Sequence, residues 1–198
     1  MAEPTPLWTC TDPARWRAAL AAYPDVVAAQ GVSGLAELDR WYRAELPATL
    51  AARAPAWADL DELREVVRWK MKRGEWRPRN LALVNGNDAA LVRRQTERAF
   101  ALVPHERAPL VELDRLAGVG PATASALLAA YRPDRYPFLD EVVGAAITGL
   151  GVPAFTLPYY LRYAAALRER AAALGGEWTA QAVGLALWAA AGGKLGVP

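Results

Sequence analysis

The stretch Leu113–Leu128, LDRLAGVGPATASALL, decides how the rest of the chain is read. It describes a helix, a tight turn through Gly118-Val119-Gly120, and a second helix with Pro121 at its first position, where the missing N–H is not needed. Two glycines at this spacing allow positive φ and leave the turn free of side chains that would block a close approach. The unpaired N–H groups at the second helix's start, with the positive end of its macrodipole, make a phosphate site. The small residues Thr123, Ala124, Ser125 and Ala126 let the two helices pack closely.

Outward from this hairpin the pattern is helical throughout, because Ala is abundant, β-branched residues are sparse and no period-two alternation appears. Asp12-Pro13 opens a first helix, and Pro24 ends or interrupts it. A second runs from Ser33 and stops before Pro47, with Leu35, Leu38, Trp41 and Tyr42 on one face. From Asp59 a helix carries Leu60, Leu63, Val67 and Met71 at helical spacing and closes at Gly74. GEWRPRN then reads as a loop, since Arg77 precedes Pro78. Asn87-Asp88 caps the next helix, which ends before Pro104. Further helices fall at 109–116, 121–131, 140–150, 158–174 and 179–191. The expected fold is all-α, a compact bilobal domain over residues 1–198 with the motif at 109–131. Trp16, Trp41, Trp57 and Trp188 are expected to pack in the core.

Composition bounds the chemistry. The 198 residues are 54% hydrophobic and 22% charged, which suits one folded domain rather than a disordered chain. A single cysteine, Cys10, excludes an internal disulfide, a four-cysteine zinc site and an iron–sulfur cluster of that type. A single histidine, His105, expected at the surface, excludes a multi-histidine metal site. No metal and no cofactor is expected. No apolar run approaches the roughly 20 residues a membrane helix needs. The opening MAEPTPLW lacks the features of a secretory signal, so a cytoplasmic protein is expected, nucleoid-associated if bacterial.

The net charge of +2 hides a concentration of positive charge. Between Arg68 and Arg98, nine basic residues stand against three acidic ones, a local +6, so the remainder carries −4. That segment reads as a surface for a polyanion or as a solvated helix face. Within it, Lys70, Lys72, Arg73, Arg77 and Arg79 are the candidates for contact with a nucleic-acid backbone. Trp76 is either a stacking aromatic or a loop anchor.

The hairpin resembles the helix–hairpin–helix DNA-binding motif, Leu-x-Gly-Val-Gly-x-x-Thr-Ala-x-x-Leu-Leu. Leu116, Gly118, Val119, Gly120, Thr123, Ala124, Leu127 and Leu128 match it position by position. The resemblance implies that Gly118, Val119, Gly120 and Thr123 form a DNA contact that grips a phosphate without reading sequence. The segment beyond the hairpin is similar to the DNA glycosylases of the helix–hairpin–helix superfamily, in which a loop leads from the hairpin to a catalytic aspartate at the next helix start. Here YRPDRYPF leads to Asp140, 18 residues beyond Ala122, the position at which bifunctional members carry their Schiff-base lysine.

The resemblance implies a monofunctional glycosylase of base-excision repair: a base flips out of the duplex and Asp140 assists hydrolysis of the N-glycosidic bond. Read from its position alone, Asp140 serves simply as an N-cap, a role compatible with catalysis. Two departures stand out. Ala122 cannot form a Schiff base, and Asp140 is followed by Glu-Val-Val where the family shows Thr-His-Val. Glu141 therefore sets a second carboxylate beside the first. Glu141, Trp76 and Tyr159 are the further candidates for a base pocket or wedge, with core packing the other reading for Tyr159 and its neighbours Tyr160 and Tyr163. The expected partner is DNA, through its phosphates and a flipped base, with no membrane and no protein partner implied. The alternative is a non-catalytic binder of damaged or branched DNA.

Overall fold

A computed structural model describes residues 6–194, and among them the chain is all helical, without a strand. The helices are α1 (Pro13–Ala21), α2 (Tyr23–Ala29), α3 (Leu35–Arg40), α4 (Leu46–Ala51), α5 (Leu60–Arg73), α6 (Pro78–Asn85), α7 (Ala89–Ala101), α8 (Ala108–Leu113), α9 (Pro121–Tyr131), α10 (Glu141–Ala146), α11 (Leu157–Leu174) and α12 (Ala180–Ala190). Their starts are chemically specified. Asp12 accepts from the Ala14 N–H, Asp88 from Leu91 and Thr179 from Ala182. Asp59 and Glu62 form a reciprocal capping box at the head of α5. Such caps each contribute about 1 kcal/mol.

Several expectations about boundaries fail. The second helix begins at Leu35, after Gly34 at φ +70°, and Pro47 does not stop it. A π-helical turn over Trp41–Glu45, in which the Leu46 N–H reaches the Trp41 carbonyl, resets the ladder. Pro47 thereby falls in the first turn of α4, where no N–H is required. The GEWRPRN segment is a loop only as far as Arg77, because Pro78 opens α6. The helix expected over 140–150 is the shorter α10, and the one expected to reach Leu116 ends at Leu113.

The helices fall into two sets by packing. α12 packs on α1, α2, α10 and α11, while α5 packs on α3, α6, α7 and α9, and α8 on α7 and α9. One hydrophobic core runs through both sets. At its centre Trp69 of α5 stacks on Tyr42 at 3.6 Å and meets Phe138 at 4.9 Å, and the Tyr42 hydroxyl donates to the Ala126 carbonyl at 2.7 Å. Trp16 and Trp188 are wholly buried, whereas Trp41 and Trp57 are half-buried. Among the described residues, no helix is long and apolar enough to cross a membrane.

Candidate nucleic-acid interface

The turn between α8 and α9 is built by two glycines with different duties. Gly118 has φ +77°, and a Cβ there would stand 2.7 Å from the Asn80 carbonyl and 3.0 Å from Leu83 and Val84 of α6. Only glycine fits against that helix. Gly120 is extended, at φ −98°, and a Cβ on it would meet nothing within 4 Å. The expectation that both glycines relieve backbone strain therefore holds for Gly118 alone, and Gly120 leaves open space. Asn87, expected only to start a helix, also clasps the turn. Its amide donates to the Ala117 carbonyl and accepts from the Ala117 N–H, each at 2.9 Å. The Gly120 carbonyl takes the N–H groups of Thr123 and Ala124. The N–H groups of Gly120 and Ala122 have no acceptor among the described residues.

Those two residues line a cavity of about 190 Å³ together with Lys70, Arg73, Asp140 and Trp188. For scale, an apolar cavity of about 150 Å³ holds a benzene ring. The segment that carries Asp140 to this cavity is fixed from three sides. The Phe138 N–H donates to Gln181, the Phe138 carbonyl accepts from the Tyr163 hydroxyl, and the Leu139 N–H donates to the Ser125 hydroxyl of α9. Asp140 then caps α10 through one carboxylate oxygen, which accepts from Val142 at 2.8 Å and Val143 at 3.3 Å. Its other oxygen accepts from Arg73 Nε at 3.1 Å. Capping and facing the cavity are thus combined in one side chain.

Arg73 is the largest departure from expectation. Instead of following a nucleic-acid backbone it is 4% exposed, with its guanidinium 4.1 Å from the Trp188 ring centre. It also donates to the Tyr23 hydroxyl. Tyr23 donates in turn to Asp39 at 2.7 Å, and Asp39 accepts further bonds from Trp69 at 2.9 Å and Arg43 at 2.7 Å. Burial pushes the Tyr23 phenol well above its ordinary pKa, so it stays a neutral link between Arg73 and Asp39. The row Arg43–Asp39–Tyr23–Arg73–Asp140 carries two positive and two negative charges, which is why so many charges tolerate burial. A sequence offers no signal for this. Arg73 reads as one more basic residue in the last turn of a helix.

The other candidates separate by position. Lys70 and Arg77 line the cavity, Arg77 also pairing with Glu75 at 2.6 Å, whereas Arg79 is exposed and does not line it. Lys72 does not join them, since its amine donates to the Ser33 carbonyl ahead of α3. Arg93 lies over Trp57, and Arg98 faces Glu112, so the basic segment does not form one continuous stripe. Val119 is core, and Thr123 is 3% exposed at the cavity wall, so neither presents a side chain outward.

Trp76 is 53% exposed and is not a core anchor. Glu141 sits at the cavity edge, paired with Lys194, so the second carboxylate has its own counter-charge. Tyr159 is buried against α10, where a Cβ on Gly144 would touch its hydroxyl, and it does not line the cavity. Tyr160 and Tyr163 are likewise core residues, and His105 is exposed. Phe138, Phe155 and Lys194 are cavity residues that the sequence did not reveal; Phe155 and Lys194 reach it from distant segments, and Phe138 belongs to the loop that leads to Asp140. Among the described residues, no group of three His, Cys, Asp or Glu is placed to hold a metal ion. Compared with known proteins, the chain matches no family model, no curated protein and no solved structure.

Proposed function

We propose that this chain is a DNA-binding base-excision repair protein, a monofunctional glycosylase of the helix–hairpin–helix type. The observation that carries the reading is that the free N–H groups of Gly120 and Ala122 and the carboxylate of Asp140 line one cavity. The N–H groups at the start of α9 take a backbone phosphate, with Arg77 and Arg79 adding charge. A base turned out of the stack enters the cavity against the apolar side chains of Phe138 and Phe155. As the C1′–N bond breaks and its electron pair leaves with the base, the sugar becomes cationic, and Asp140 stabilises it until water adds.

The ion pair with Arg73 fixes the position of the Asp140 carboxylate. Ala122 has no amine, so this hairpin position forms no covalent intermediate. The same ion pair favours a second reading, a binder of damaged DNA without turnover, because Arg73 offsets the charge that would stabilise the cation. Duplexes containing uracil, hypoxanthine, alkylated purines or 8-oxoguanine separate the two. Base release that disappears in Asp140→Asn supports the glycosylase. Tight binding without release, unchanged by Asp140→Asn, supports the binder. Absence of binding to every duplex refutes both.

A further inference from the structure

Among the described residues two aromatic side chains are exposed, Trp76 at 53% and Phe155 at 46%. They come from distant parts of the chain, Trp76 from the loop between α5 and α6 and Phe155 from the loop between α10 and α11. Yet both reach the cavity of Asp140. Phe155 lines it, and Trp76 stands between Glu75 and Arg77, which line it too. Exposed apolar side chains scattered singly carry no message, but rings gathered at one opening mark a contact surface. The charge around them is unbalanced in one direction. Of the four cations that line the cavity, three are matched, Arg73 by Asp140, Arg77 by Glu75 and Lys194 by Glu141. Lys70, half-buried, has neither an acceptor nor a counter-charge among the described residues, and exposed Arg79 has none either. Free aromatic faces beside surplus positive charge suit a row of bases joined by phosphates.

We propose that the mouth of this cavity is a stacking platform for unpaired DNA, Phe155 taking the base that enters and Trp76 its neighbour in the strand. The proposal rests on the reading of the cavity as a DNA site and names its substrate class, single-stranded rather than duplex DNA. In a duplex the faces of the bases are covered by one another, so the Trp76 ring gains little there unless a step is opened. In an unpaired strand the faces are free, and every base offers one whatever the sequence. The charge points the same way. A duplex presents two rows of phosphates, and the basic run that would follow them is dispersed, with Arg93 over Trp57, Arg98 facing Glu112 and Lys72 bonded to Ser33. What remains at the mouth is Lys70, Arg79 and the free N–H groups of Gly120 and Ala122, enough for a short piece of one strand. An unpaired base also enters a pocket at the smallest cost, since no partner has to be given up.

The test is fluorescence anisotropy on the full chain with one labelled oligonucleotide, alone or annealed to its complement. The expected result is binding at least about tenfold tighter to the single strand, as one stacked base would give. Trp76→Ala and Phe155→Ala should each weaken single-strand binding by about 5- to 150-fold and leave duplex binding within about twofold. Both positions are exposed, so the variants should melt with wild type. Phe155→Leu keeps apolar bulk without a ring face and should lose affinity as the alanine variant does. If the duplex binds as tightly as the single strand, if either alanine variant binds the single strand as wild type does, or if Phe155→Leu retains full affinity, the proposal is overturned while the DNA reading stands. If neither form of the oligonucleotide binds, the two fall together.

Discussion

The two hairpin glycines provide the sharpest test, because the same substitution should act on different properties one turn apart. Gly118→Ala places a side chain at φ +77°, a left-handed conformation that costs roughly 1–2 kcal/mol for a residue with a Cβ. The new methyl also lies 2.7 Å from the Asn80 carbonyl and 3.0 Å from both Leu83 and Val84. Overpacking of this kind adds about 1–3 kcal/mol. The total, roughly 2–5 kcal/mol, is a large part of a typical stability of about 5–15 kcal/mol. For a chain of this size the melting temperature should fall by roughly 4–20 °C.

Gly120→Ala meets no atom within 4 Å and keeps an ordinary extended backbone, so its stability should stay within about 1 kcal/mol of wild type or rise. Its effect should appear in binding. A methyl, and still more the carboxylate of Gly120→Glu, stands where a phosphate must approach the free N–H groups. Thermal denaturation followed by circular dichroism measures the first effect, and fluorescence anisotropy with a labelled duplex across a salt series measures the second. If Gly120→Glu binds DNA as wild type does, the hairpin is not the phosphate grip. If Gly118→Ala melts with wild type, the packing account of the turn is wrong.

The site sets four further outcomes. Arg73→Met strands Asp140 as a buried charge and should cost about 3–5 kcal/mol in denaturant unfolding. Adding Asp140→Asn should recover part of that loss, and additive costs would argue against the ion pair. Tyr23→Phe leaves Asp39 and Arg73 each short of one hydrogen bond and should cost about 1–3 kcal/mol by the same measurement. Trp76→Ala, at a 53% exposed position, should change stability by no more than about 0.5 kcal/mol. It should weaken binding to single-stranded or gapped DNA by about 1–3 kcal/mol if the ring stacks on a base, and equal affinities would exclude stacking. Lys70 binds its proton less tightly when folded than its ordinary value near 10.5 implies. The unfolded chain therefore holds more protons on this group between the lowered value and the ordinary one, and the contribution of Lys70 to stability should rise with pH across that window. Lys70→Met should flatten that rise in a series of pH-dependent melts.

Local chemistry was legible in the sequence, and assembly was not. Asp12, Asp59 and Asp88 announce helix starts because a cap needs only its own neighbours, and Pro121 marks the start of α9 for the same reason. Pro47 misled because relief came from a π turn one step upstream, which no residue preference encodes. Arg73 misled more deeply. Its burial depends on Tyr23 of α2 and Trp188 of α12, which reach its guanidinium only after folding, beside Trp69 of its own helix. Asp140 was placed at a helix start by its position, but its access to the cavity depends on Gln181, Tyr163 and Ser125 holding the preceding segment. The basic run from Arg68 to Arg98 was a sum of charges, and helical geometry sends those charges to different faces.

The packing of α12 against α1 and α2 means that the earliest and latest described helices must meet before the cavity has a floor. Tyr23 and Trp188 touch at 5.4 Å between ring centres, and both lie against the guanidinium that holds Asp140. Contacts so distant along the chain close slowly, and they open as one unit when they are weakened. The hairpin, whose helices are near neighbours in sequence, leans on α6 and Asn87 instead. On the proposed reading, partial unfolding of this outer clasp would spare the free N–H groups of the hairpin while releasing Asp140, so grip and reactivity would be separable along the folding coordinate itself.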